Sequence, residues 1–200
     1  IIIIIYMDIR MIRMSGFYNK GVSMDYDCFV DIKERYDEFI EFALSLSEYI
    51  TFHIVHYDIL SPKSLKMKEE YMKNHPEECV TEEESDDDYY KRMSFFIESI
   101  KDSVLKTDKA FSYLGFEYGY LCETFVLDTK NPKVKEFLLS ADSIFSWKYP
   151  DFPEDICFFR NGQHWCRSVA HENLLFFNKI TDGEAEKLKQ LGVKICLSED

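Results

Sequence analysis

Seven glycines and five prolines among 200 residues leave little backbone freedom for a phosphate-cradling loop, and neither GxGxxG nor GxxxxGK[ST] occurs. HExxH, GxSxG and an EF-hand loop are also missing. Nucleotide, zinc-protease, serine-hydrolase and calcium-sensor readings therefore lack their usual residues. Positive charge is scarce as well: 24 Lys and Arg stand against 37 Asp and Glu, for a net charge of −13. Binding a nucleic acid by counterion release needs the opposite sign, so no nucleic-acid partner is expected.

Long apolar runs are absent too. Ile1 to Ile5 is followed at once by Asp8, Arg10 and Arg13, and a bilayer span needs ~20 residues, so no membrane partner is expected. Ile1 to Tyr6 reads either as an artefact of the gene boundary or as a first strand, and the domain is taken from Met7 to Asp200. The six cysteines show no CxxC spacing and follow no secretory signal. They read as reduced thiols of a cytoplasmic protein, with no cofactor and no metal.

What is present is aromatic and amphipathic. Phe and Tyr number 17 and 13, enough to build the core on ring packing with some left for a surface. From Asp31 to Tyr49, Ile32, Tyr36, Phe39, Ile40, Ala43 and Leu46 recur at helical spacing. Thr51 to Ile59 reads as a strand, Ser61-Pro62 opens a charged helix that stops before Pro76, and Tyr89 to Leu105 carries a second core-facing helical pattern. Phe111 to Leu127 alternates over too many residues for one strand, so Gly115 or Gly119 should mark a break. Asn131-Pro132 caps a short helix. A strand at Asn173 to Phe177, a capping box at Thr181 to Glu184, a stop at Gly192 and a last strand at Val193 to Leu197 complete the chain.

The strongest local signal is Asn161-Gly162 between two aromatic, β-favouring runs, which predicts a two-residue hairpin within 156–169. Its simplest register opposes Phe159 to His164, Phe158 to Trp165 and Cys157 to Cys166, so that Cys157, Phe159, His164 and Cys166 share one face. The fold class is thus α+β: an antiparallel or mixed sheet containing this hairpin, covered by two or three amphipathic helices in a single domain.

Residues 77–88 hold eight acids in twelve positions, which predicts a flexible acidic loop or linker. With the net charge, this run points to an acidic cytoplasmic protein that binds a basic protein partner, of the inhibitor or immunity type, through Glu82, Glu83, Glu84, Asp86, Asp87 and Asp88. The alternative is a hydrolase-type enzyme using His164, Cys166, His171 and Glu172, because a histidine beside a carboxylate or thiol has the makings of a general base or nucleophile pair. A third reading is a structural domain of a larger assembly. His53, His56 and Asp58 on the first strand, with Glu117 or Glu123 as further ligands, read as ordinary polar neighbours at a strand end.

Overall fold

A computed structural model describes residues 33–75 and 86–194. Six strands form one sheet in the order β2-β3-β1-β4-β5-β6: β1 (Tyr49–Leu60), β2 (Val104–Tyr113), β3 (Phe116–Asp128), β4 (Glu154–Arg160), β5 (Gln163–Val169) and β6 (Leu174–Phe177). Every pairing is antiparallel, which resolves the choice between an antiparallel and a mixed sheet. Helices α1 (Tyr36–Leu46), α2 (Pro62–Asn74), α3 (Asp87–Ile100), α4 (Pro132–Leu138) and α5 (Asp182–Gln190) complete the α+β architecture.

The helices begin where their capping chemistry dictates. Ser61 accepts the Ser64 amide with Pro62 at the first helical position, Asn131 accepts the Lys133 amide ahead of Pro132, and Thr181 and Glu184 form a reciprocal capping box. Gly192 ends α5 at a left-handed φ of +91°. The break in the long alternating segment falls at Leu114-Gly115, both at positive φ, so β2 and β3 form a hairpin and Gly119 lies inside β3. The predicted strand from Val193 falls mostly on residues outside the described ones.

One face of the sheet carries the apolar core. Phe39 and Ile40 of α1, Tyr89 and Met93 of α3, Val134 and Phe137 of α4 and Leu188 of α5 pack on Ile50, Phe52, Phe125, Leu127, Ile156, Phe158 and Trp165. Phe52 stacks on Phe125 at 5.2 Å and Phe39 meets Phe158 edge-on at 6.3 Å, geometries aromatic pairs favour. Helix α2 buries no residue. It is tied to the end of the sheet where the Ser61 amide donates to the Gly119 carbonyl at 2.8 Å.

The opposite face is polar and is roofed by the tip of the β2–β3 hairpin. Tyr113 reaches across it: its hydroxyl lies 2.9 Å from Thr51 Oγ1 and donates to the Asp155 carbonyl at 3.1 Å. The Arg167 guanidinium sits between the rings of Phe116 at the hairpin tip (5.0 Å) and Phe176 of β6 (4.9 Å). This cation–π clamp fastens the roof to the far edge of the sheet.

The 156–169 hairpin differs from its simplest register by one residue. Arg160 opposes Gln163 and Phe159 opposes His164, as the turn requires, but Phe158 then opposes Cys166 and Cys157 opposes Arg167. Trp165 is the extra residue of a β-bulge. Its carbonyl accepts the Asn178 amide at 2.8 Å and its indole Nε1 donates to Ser47 Oγ at 2.9 Å, which hold the ring inside the core. The bulge sends Cys166 into the core beside Trp165 and leaves Cys157 on the roofed face with Arg167.

Candidate functional site

The bulge separates the residues that sequence places together. Cys166 is fully buried and its thiol pKa is pushed well above the ordinary value by burial, which makes it a poor nucleophile. His164 is half-buried, edge-on to Phe159 at 6.2 Å, with its pKa lowered by burial and by the nearby Arg167 charge. His171 and Glu172 lie in the single 3-10 turn Ala170–Glu172 that ends β5, exposed, with Nε2 and Oε1 3.7 Å apart. His164 and Cys166 thus point to opposite faces of the sheet. Among the described residues, no group of three or more His, Cys, Asp or Glu is arranged to hold a metal.

On the first strand His56 and Asp58 have the polar neighbours that sequence suggests, and His53 does not. His56 Nε2 lies within hydrogen-bond distance of Glu123 Oε2 at 3.1 Å, and the same oxygen is ion-paired to Lys109 Nζ at 3.2 Å, so a lysine stands where a metal would need a lone pair. His53 is fully buried, and neither ring nitrogen has a hydrogen-bond partner among the described residues. It is not the satisfied strand-end histidine that sequence suggests. Its ring packs on Tyr113 at 4.1 Å and Tyr118 at 5.2 Å. Burial, helped by the charge of His171, lowers its pKa to about 3, so His53 is neutral in the native protein.

Beside it, β4 carries a bulge at Asp155, which sits at a φ of +51°. The Asp155 carboxylate accepts the Ala170 amide at 2.7 Å. Burial raises its pKa to about 7, against the Ala170 hydrogen bond and the Arg167 charge that favour ionisation. Its neighbour Glu154 is also raised by burial, and accepts the Tyr57 hydroxyl at 2.5 Å. Acids and histidines with displaced pKa values cluster at functional sites. Here, however, the groups are closed over: His53, Glu154, Asp155 and Tyr113 are all buried. Among the described residues, one surface concavity of about 420 Å³ runs along α2 past Leu65 and Met72, and another, of about 230 Å³, lies on β2 and β3. Neither is lined by His164, Cys166, His171 or Glu172.

The feature that sequence reasoning missed lies where β1 ends, α3 begins and the segment before β4 crosses. Five tyrosines converge there: Tyr57 lies 6.2 Å from Tyr89, 5.2 Å from Tyr120 and 5.0 Å from Tyr149, and Tyr89 lies 5.3 Å from Tyr90. Three of their hydroxyls are turned on carboxylates. Tyr57 donates to Glu154, Tyr90 to Asp58 at 2.5 Å and Tyr149 to Asp86 at 2.7 Å. The Tyr149 hydroxyl and the Tyr89 amide hold the Asp86 carboxyl below the ordinary carboxylate range. Tyr149 is 42% exposed, Ile59 is 40% exposed, and Asp58, Asp87 and Asp88 are exposed around them. Arg92 fixes the crossing segment by donating to the Pro150 carbonyl from Nε and Nη2 at 3.3 and 3.1 Å.

Of the predicted binding carboxylates, Asp86 therefore caps α3 by accepting the Tyr89 amide at 2.9 Å, and Asp87 and Asp88 occupy the first turn, where acids also suit the helix dipole. Glu82, Glu83 and Glu84, with most of the 77–88 run, lie outside the described residues. The sequence signal for this place is Tyr89-Tyr90 directly after Asp86-Asp87-Asp88. Tyr57, Tyr120 and Tyr149 join it only through the fold. No helix among the described residues is long and apolar enough to cross a membrane. No protein-family model, no curated protein and no solved structure matches the chain.

Proposed function

We propose that the protein works by binding a basic protein partner, in the manner of an inhibitor or immunity protein, through the end of the sheet where Tyr90 and Tyr149 present Asp58 and Asp86. The observation that supports this is the pairing of partly exposed tyrosines with carboxylates, because tyrosine is enriched at interface hot spots and opposite charge steers encounter. The hydroxyls fix the carboxylates in place before any partner arrives, which reduces the ordering that binding would otherwise require. The net charge of −13 extends the attraction beyond contact distance. The enzymatic alternative draws less support, since Cys166 and His164 occupy opposite faces of the sheet.

The test is to recover the partner from the native cell and measure association as a function of salt. The on-rate should fall steeply as ionic strength rises, while dissociation changes much less. Replacing Asp58, Asp87 and Asp88 together by Asn should slow association at low salt by about tenfold, and Tyr149→Ala should speed dissociation by about tenfold. His171→Ala should change neither. A salt-independent on-rate, or an enzymatic activity abolished by His171→Ala, would overturn the reading.

A further inference from the structure

Strand β2 forms one edge of the sheet. Lys106, Thr107, Asp108 and Lys109 are exposed, and among the described residues no strand pairs with the outer side. Lys106, Asp108, Ala110 and Ser112 alternate along one face and, with Thr124 and Val126 of β3, line the groove of about 230 Å³. The Lys109 amide donates to the Asp108 carboxylate at 3.1 Å, which blunts the outer edge at that point. Strand amides alternate in direction, so Thr107 carries the next amide on the same side.

Two opposite charges two residues apart on one face make this edge complementary to itself. When two copies of β2 run antiparallel about a two-fold axis through Thr107, Lys106 of each copy faces Asp108 of the other, and Thr107 faces Thr107. A two-fold axis between Thr107 and Asp108 would pair residues whose amides and side chains point in opposite senses, which an antiparallel ladder does not allow, and one through Asp108 would oppose the two acids, so strand alternation and charge together select the first register. Such a contact is isologous and closes at two copies, as homodimer interfaces commonly do. The bulge at Leu105, which β3 skips in pairing Leu127 with Val104 and Val126 with Lys106, limits how far the ladder extends toward Val104.

We infer that the β2 edge is a self-association surface, on which a second copy of this chain adds an antiparallel strand in the register that pairs Lys106 with Asp108 twice. The test uses the full chain in sedimentation equilibrium from about 10 μM to about 1 mM, a range that captures weak strand-addition dimers. Wild type should show a concentration-dependent dimer. Lys106→Glu and Asp108→Lys should each weaken it by about tenfold, because each places like charges opposite one another twice. The decisive measurement mixes the two single variants. The carboxylate introduced at position 106 of one chain then meets the ammonium introduced at position 108 of the other, while the unaltered Asp108 of the first chain meets the unaltered Lys106 of the second. Both contacts are attractive, so the mixture should associate more tightly than either variant alone.

Thr107→Pro should abolish association while circular dichroism stays native, because proline on the outer side of an edge strand removes only the outward amide. A wild type that is monomeric to about 1 mM would overturn the inference, as would a dimer indifferent to both charge variants or a mixture no tighter than its components.

Discussion

His53 and Asp155 lie close in the fold and carry opposite anomalies, and their linkage to pH is correspondingly opposed. Asp155 is raised from 3.8 to about 7, so the native state holds a proton that the unfolded chain gives up. Its contribution to stability is fully present below pH 3.8 and is lost as pH rises through about 7. His53 is lowered from 6.5 to about 3. Its contribution is present above pH 6.5 and is lost as pH falls toward 3. Between about pH 4 and 6.5 the unfolded chain carries the proton on His53 and the native protein carries it on Asp155, so the two slopes oppose one another in wild type. Glu154, also raised by burial, adds to the Asp155 side. Each variant should therefore expose the other residue. Relative to wild type, Asp155→Asn should lose stability toward acid, and His53→Gln should lose it toward alkali, with slopes of about 1.4 kcal/mol per pH unit and opposite sign. Urea midpoints between about pH 4 and 7 would show this; parallel curves for all three proteins would contradict it.

At the scale of elements, legibility in the sequence follows how local the cause is. Helix starts at Ser61-Pro62, Asn131-Pro132 and Thr181, and the Asn161-Gly162 turn, are set within a few residues and match the observed elements. The Trp165 bulge depends on Asn178 and Ser47 from other elements, and no periodicity within the hairpin could reveal it. The strand at Val104 to Ala110 lacks a sequence signal for another reason: as an edge it is exposed on both faces over most of its length, so it has no apolar alternation to read. The tyrosine site is intermediate. Tyr89 and Tyr90 stand beside the acidic run in sequence, whereas Tyr57, Tyr120 and Tyr149 arrive from two strands and a crossing loop. The locally determined turn can be tested by a local change. Gly162 has a φ of +70° with open space around its Cα, so Gly162→Ala should cost about 1 kcal/mol through backbone strain alone, read as a lower urea midpoint at unchanged slope. The roof, assembled from distant segments, needs a different probe. Arg167→Lys should loosen it, because an ammonium cannot lie flat between Phe116 and Phe176 as a guanidinium does. Amide exchange at Tyr113 to Glu117 should then quicken by about tenfold while the core strand β1 keeps its protection. Equal acceleration in both would assign Arg167 to global stability instead of to the roof.

For the molecule as a whole, salt acts on folding and on recognition with opposite signs. A net charge of −13 repels itself in the compact state more than in the expanded chain, so screening should stabilise the fold. Attraction to a basic partner is weakened by the same ions, because charges beyond a Debye length of ~8 Å at physiological ionic strength no longer steer. Local pairs such as the bidentate Arg160–Glu184 bridge, at 2.5 and 3.2 Å and only 21% and 15% exposed, sit well inside that length and change little. Raising NaCl from about 20 mM to about 500 mM should therefore raise the melting temperature, by about 2–4 °C for each kcal/mol of repulsion relieved in a chain of this size, while association with the partner slows. The carboxamide variant at Asp58, Asp87 and Asp88 should show a smaller melting shift and a flatter salt dependence of association together, since both originate in the same surface charge. A melting temperature that falls with salt would mean that ion pairs outweigh self-repulsion, and would remove long-range charge as the basis of recognition.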